Sequence, residues 1–544
     1  MQTQGVALGW YVCAPSALSE LASHKWITRP NAMLSLLIFI PLLNAIAIML
    51  GAPARKSALT AAGANLILSL FILLGYDRAR GGFQFAYSSP IGPEWDLKYF
   101  VAADGLSVVM LFLTALVTLA AVWVTPKVEK RESLFYACVL LIATGAAGAF
   151  ASQDLFFFYA FHEVALIPTF LLIGMWGTGE RHSVAWKITI YLALGSFILL
   201  IGLADLYLAL PDDTATLDVA TRGQLQQVLG SVPHSLRTFD MVTLQKLAPL
   251  HVIPAAAQTR PYILLLVGFG ILISLFPFHS WAPPAYASAP TPVSMLHAGV
   301  LKKFGLYGLI RIAVPLLPAG AQHWAWLLLT LLVGNIIYVG LVTIAQKKLD
   351  LMLGYSSVMH MGYIFLGIAA LNVVGLSGAT LLMFAHGLSI AALFALTGQL
   401  RQRSETLAFD QLGGLAKSLP FLSVAFGFAA FASIGLPGFG NFASELMVFF
   451  GAYKPAAAEA AVSNFQIATT FALWGVVISA VYMLRAYRAI FFGEPDKDRA
   501  LTADPVFAIR LPILLLLATL LIAGFFPQTF LAFIKPSIEA LLPK

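Results

Sequence analysis

Charge is what this sequence has least of. Only 10% of its 544 residues are Asp, Glu, Lys or Arg, while 60% are hydrophobic. Soluble domains lie nearer half apolar and a quarter charged. The composition, with a mean hydropathy of +0.86, therefore excludes an ordinary soluble protein and points to a chain lying mostly in a bilayer. Cysteine is nearly absent as well. Cys13 and Cys138 are too few for a disulfide framework, a cysteine-rich metal site or an iron–sulfur cluster. No glycine-rich nucleotide loop is present. The chain is basic, formally +7 with a pI near 9.2. Its lysines and arginines sit in loops, where they orient a membrane protein rather than contact nucleic acid. Residues 1–32 lack the basic start and apolar core of a signal peptide and are read as an N-terminal extension.

What is present is a series of apolar runs. A bilayer-crossing helix needs about 20 such residues, and fourteen candidates follow: 33–50, 58–76, 105–125, 134–151, 154–176, 187–210, 261–282, 291–315, 323–345, 350–371, 376–400, 419–451, 464–492 and 510–534. The segment 77–104 reads as a hairpin. The long loop 211–260 contains "TFDMVTLQKLAPL", which reads as a short amphipathic surface helix. Basic loop residues such as Arg55, Lys127, Arg131, Lys347, Arg401 and Arg485 favour one side as cytoplasmic, which places both termini on the other. Two spans contain breakers: Pro277 in "LISLFPFHSW", and Gly435, Pro437, Gly438 and Gly440 in "IGLPGFGNFASE". The breaks are five spans apart. That spacing suggests two inverted five-helix repeats, spans 4–8 and 9–13, built around a transport path. The chain then divides into 1–32, spans 33–125, a first repeat 134–315, a second repeat 323–492 and a last helix within 510–544.

Ionisable residues inside the spans are few: His162, Glu163, His297, Lys302, Lys303, His360, His386 and Glu445. Each charge at the bilayer centre costs about 2.5–3.5 kcal/mol or more, so such residues are paired, hydrated or neutral. A set of histidines, lysines and carboxylates can pass protons, and we read it as a proton relay. Lys187 and Arg311 sit nearer span ends, where snorkelling is as good a reading as burial. Lys302 and Lys303 point about 100° apart, which predicts one facing the interior and one stretching away. His297 is predicted off the face of Lys302, and His162 and Glu163 on different faces. Pro168 frees the carbonyl of Val164 beside Glu163. No ligand-like spacing supports a metal site, and no nucleophile constellation is present.

At these residues the sequence resembles a known family. The motifs "HEVALIPTFLLIGMWG", "WKITIYLALGS", "FPFHSWAPPAYASAPTPVSMLHAGVLKKFGLYGLIR", "LGYSSVMHMGYIFLGI", "FAHGLSIAALFALTGQL" and "GLPGFGNFASELMVFFGAY" follow in order. They resemble the antiporter-like membrane subunits of respiratory complex I (NADH:quinone oxidoreductase), which are similar to Mrp-type cation/proton antiporter subunits. The resemblance implies an all-α fold of fourteen helices with two inverted five-helix repeats. It implies proton translocation driven by redox chemistry in other subunits, with no cofactor and no catalytic chemistry in this chain. It also implies membrane-arm neighbours and lipids as partners and a bacterial cytoplasmic membrane as the location. Glu163, Lys303, His360, His386 and Glu445 match the family's relay positions. Glu445 and the stop after the fourteenth span favour the M-type subunit. The family's span-7 lysine, the usual partner of Glu163, is replaced by Leu272. His162 stands where the family often has an aromatic residue, and the basic residue before "YSS" is missing. His162 or Lys187 is expected to replace the lost lysine, with His297 and Lys302 as auxiliaries. An Mrp-type antiporter subunit and a scaffold that has lost pumping are the alternatives, and the coupled ion, H⁺ or Na⁺, stays open.

Overall fold

The computed structural model describes residues 32–92, 97–454, 462–494 and 503–542. Apart from residue 32, the N-terminal extension lies outside the described residues. The chain folds as a bundle of helices with one small hairpin. The first two helices are α1 (Met33–Met49) and α2 (Ala54–Gly75). The hairpin follows, with β1 (Gln84–Gly92) antiparallel to β2 (Leu97–Ala103) in the segment where one is predicted. Next come α3 (Gly105–Val124), α4 (Glu132–Ala151), α5 (Leu155–Trp176) and α6 (Arg181–Ala209). The long loop carries two short helices, α7 (Val219–Leu229) and α8 (Met241–Leu247), the latter within the amphipathic stretch.

The remaining helices hold the site. They are α9 (Ala255–Ile273), α10 (Ala282–Ser288), α11 (291–316), α12 (Pro318–His323), α13 (Ala325–Ala345), α14 (Leu349–Ala369) and α15 (Val373–Ser404). Then come α16 (Pro420–Ile434), α17 (Gly440–Ala452), α18 (Asn464–Phe491), α19 (Phe507–Phe525) and α20 (Gln528–Leu541). Among the described residues, eleven helices are long and apolar enough to cross a membrane. The three other predicted spans are accounted for physically. α1 has 17 residues, α11 alternates between α and π turns, and the span at 419–451 is split into α16 and α17. The last predicted span, 510–534, ends instead at Phe525. Pro527 follows, and α20 starts as a separate amphipathic helix.

α3 and the membrane-length stretch of α15 are buried on every face, as expected of helices at a bundle's centre. α11 crosses α15 at Gly299 and Gly387, where each glycine faces the other's carbonyl and a Cβ on Gly387 would collide with it. This small-residue crossing lets the two backbones approach closely and sets the spacing of the side chains one turn further on.

Both predicted breaks are present. α9 stops at Ser274, whose left-handed φ of 69° ends the helix, and helical structure resumes at Ala282. Asn335 of α13 satisfies the freed backbone. It accepts from the Phe276 N–H at 2.6 Å and donates to the carbonyls of Ser274 and Val358 at 3.2 and 3.0 Å. α16 stops at Gly435, with φ +81°, and the chain resumes as α17 at Gly440. Irregular backbone at membrane depth survives only where protein or water satisfies it, and Asn335 does so at the first break.

Candidate functional site

The site is a row of polar side chains through the middle of the bundle. Lys303 on α11 is its centre. It is 0% exposed. Its Nζ donates to the Ala298 carbonyl at 2.6 Å and lies 3.1 Å from His386 Nδ1 on α15. The Gly299–Gly387 crossing makes this reach possible. The His386 ring is 5.5 Å from that of His360 on α14. His360 in turn is held between two carbonyls, with Nδ1 2.8 Å from Ser356 O and Nε2 2.8 Å from Ser433 O. Ser433 lies in the last turn of α16, where the break leaves carbonyls without helical partners. Two residues on, the Glu445 carboxylate of α17 packs directly over Gly435. Glu445 is buried, and its Oε1 has no hydrogen-bond partner among the described residues. Tyr363 stands between, 5.6 Å from His360 ring to ring and facing Glu445. The structure thus brings Lys303, His386, His360 and Glu445 into one line ending at the second break.

Glu163 lies on α5. Asp154 positions this helix as its N-cap, accepting from the N–H groups of Phe156 and Phe157 at 2.9 and 3.2 Å. Burial pushes the Asp154 carboxyl up to about 6, against the backbone donors that pull it down. Gly145 and Gly148 of α4 admit the α5 backbone and the Phe161 ring at distances that no Cβ would allow.

Three sequence expectations need correction here. His162 and Glu163 meet: His162 Nδ1 is 3.5 Å from Glu163 Oε1. Adjacent helical residues point about 100° apart, but both side chains bend along the same groove, and the imidazole is fixed there by stacking on Phe304 at 4.1 Å. Neither Lys302 nor Lys303 stretches away, because α11 is enclosed on every side; Lys302 is 1% exposed. Its Nζ reaches Ser357 Oγ at 3.5 Å and lies 5.1 Å above the Tyr286 ring. His297 does share a face with Lys302. The π turn at His297–Leu301 carries an i to i+5 bond from the Lys302 N–H to the His297 carbonyl, so both side chains pack against Tyr286.

Lys187 is not beside Glu163. It lies in the second turn of α6, toward His279 in the first break, whereas Ser196, nine residues further along α6, faces Glu163. Arg311 does not snorkel. It is buried and paired with Asp104 at 2.5 Å, a pairing the sequence did not suggest. Leu272 is buried at the end of α9. Together with His162, His297, Thr169 and Leu192 it lines a cavity of about 10 Å³. No cluster of metal-ligating groups occurs among the described residues.

The NADH:quinone oxidoreductase/Mrp antiporter transmembrane family matches residues 152–471, which span α5 to the first turns of α18 and include every residue of the row. The chain belongs to this family. It is 37% identical over 424 residues to NAD(P)H-quinone oxidoreductase chain 4 2 of Thermosynechococcus vestitus, covering 78% of this chain and 74% of that one. Chain 4 1 of Nostoc sp. is 34% identical over 494 residues, or 89% and 85% of the two chains. In three dimensions the chain is similar to one in respiratory complex I from Thermus thermophilus with bound NADH. There the TM-score is 0.78 and the identity 27%, covering 94% of this chain and all of that one. A chain of the Mrp complex from Dietzia sp. shares the fold, with TM-score 0.75 and 21% identity over 94% and 99% of the chains.

Proposed function

We propose that this chain is a chain-4-type, proton-translocating membrane-arm subunit of a complex-I-like quinone oxidoreductase. It moves protons while redox chemistry runs in partner subunits. The observation that carries this reading is the enclosed row Lys303–His386–His360, which ends at the broken helix under Glu445. A lysine and two histidines in contact can pass a proton, because each has a neutral form with a lone pair and a charged form with an added N–H. The break at Gly435 gives Glu445 a route to water that an intact helix would close. Glu163, Lys303, His360, His386 and Glu445 form the relay, and this chain itself holds no cofactor.

In this reading the bundle crosses the membrane fourteen times, as two inverted five-helix units. The two breaks support that arrangement, since each follows a left-handed cap at the end of a shortened helix. The membrane is a bacterial cytoplasmic membrane, with both termini on its far side. The neighbours are other membrane-arm subunits.

Glu445→Gln tests the reading in the whole complex reconstituted into vesicles. The variant should keep electron transfer and lose protons pumped per electron. Unchanged stoichiometry would remove Glu445 from the path.

A further inference from the structure

The family's lysine position holds Leu272, yet the space around Leu272 is rich in other basic groups. His162, from α5, and His297, from α11, line the same small cavity that Leu272 walls. The His297 Nδ1 is buried without a hydrogen-bond partner among the described residues, and the His162 Nδ1 has only the ion-pair contact to Glu163. One side of this pair touches the Glu163 carboxylate, at 3.5 Å from His162. The other side continues to Lys302, which shares the Tyr286 ring with His297 across the π turn. The cavity, at about 10 Å³, is near the size at which one water fits. Two imidazoles facing it supply the polar partners such a water needs.

We infer that this chain has a rerouted entry limb. His162 replaces the missing lysine as the basic partner of Glu163, and protons pass from Glu163 through His162, the cavity and His297 to Lys302. The inference rests on the proposed relay function and gives its first half a route. Each transfer breaks one O–H or N–H bond and forms another. The carboxyl of Glu163 gives its proton to the His162 ring, a water in the cavity carries it to the His297 ring, and the Lys302 amine accepts it. Lys302 and Lys303 are then not redundant. Adjacent on α11, they face different partners, Lys302 toward Tyr286 and Ser357 and Lys303 toward His386. The π turn is what brings Lys302 round to the His297 side.

A purely structural role for these histidines gives a different pattern from a relay, and a rescue separates the two. His162→Phe keeps a ring to stack on Phe304, so it preserves the packing and removes only the titratable group. His162→Tyr serves the same end if the Phe variant assembles poorly. His162→Phe and His297→Leu, built in the complete complex and reconstituted in vesicles, should assemble and transfer electrons but lose proton pumping. Adding Leu272→Lys to His162→Phe should restore pumping, because it returns a basic group to the cavity beside Glu163. Parental pumping by both single variants, with Glu445→Gln still defective, would overturn the route while leaving the function standing. Loss of pumping in His162→Phe with no rescue by Leu272→Lys would show that a basic group at the Leu272 position does not restore the limb, and would overturn the route as well. Parental pumping by Glu445→Gln together with all of these variants would overturn the function itself.

Discussion

The buried pair Asp104–Arg311 sets the cost of a single side-chain loss outside the relay. Arg311 on α11 is 1% exposed. Its Nη2 donates to Asp104 Oδ1 at 2.5 Å and to Ser107 Oγ at 3.3 Å, and its Nε donates to Tyr307 Oη at 3.3 Å. Asp104 also caps α3, accepting from the Ser107 N–H at 3.0 Å. Asp104→Ala therefore strands a buried guanidinium, at about 3–5 kcal/mol, and removes a cap worth about 1 kcal/mol. The two share one carboxylate and do not simply add. A total near 4 kcal/mol corresponds to roughly a thousandfold shift in the folded fraction, since each 1.4 kcal/mol is about tenfold. Replacing both partners, as Asp104→Asn with Arg311→Met, keeps a cap and leaves no stranded charge. The double variant should be markedly more stable than Asp104→Ala. Thermal melting of the purified complex, with the assembled fraction read on a native gel, measures both. A double variant as unstable as Asp104→Ala would refute the claim that the cost comes from the unpaired charge.

Other outcomes follow from the same geometry. Gly435→Ala adds a Cβ that meets Glu445 Oε2 and forces a left-handed φ on a residue that resists it. It should cost about 1–2 kcal/mol and lower pumping by displacing the carboxylate; full pumping in vesicles would contradict the role of that contact. Asp154 has a folded-state value of about 6 against an ordinary 3.8. Its contribution to stability is therefore full below the unfolded value and is lost as pH rises through the folded one. Asp154→Asn, which keeps the cap, should flatten the pH dependence of the melting temperature between about pH 4 and pH 6; an unchanged slope would show that another group sets it. Asn335→Leu leaves the Ser274 carbonyl and the Phe276 N–H without their partner at the first break. It should destabilise by about 1–3 kcal/mol for each group left unsatisfied, read as a lower melting temperature of the complex.

The architecture was largely legible because its signals are local. Apolar runs of bilayer length, Pro277 and the Gly435–Gly440 cluster, and the 77–104 hairpin each speak for themselves. So did the row Lys303, His360, His386 and Glu445, since ionisable residues are conspicuous in apolar helices and the resemblance placed them. What the sequence hid was pairing. Asp104 and Arg311 are 207 positions apart, and nothing in either segment names the other. The π turns in α11 and α13 left no mark in composition, yet one of them moves Lys302 onto the face of His297. The assumption of an ideal 100° step therefore misplaced Lys302, and taking side chains to point straight out from the α5 backbone separated His162 from Glu163. Snorkelling was open for Arg311 only while its neighbours were unknown.

Lys303 is the centre of the account, the enclosed amine that meets His386 and, through it, His360. The most direct test is the proton-to-electron stoichiometry of the reconstituted complex carrying Lys303→Ala, measured with its electron-transfer rate. The account predicts an assembled complex that still transfers electrons and pumps fewer protons for each one. A Lys303→Ala complex with the parental stoichiometry would contradict it.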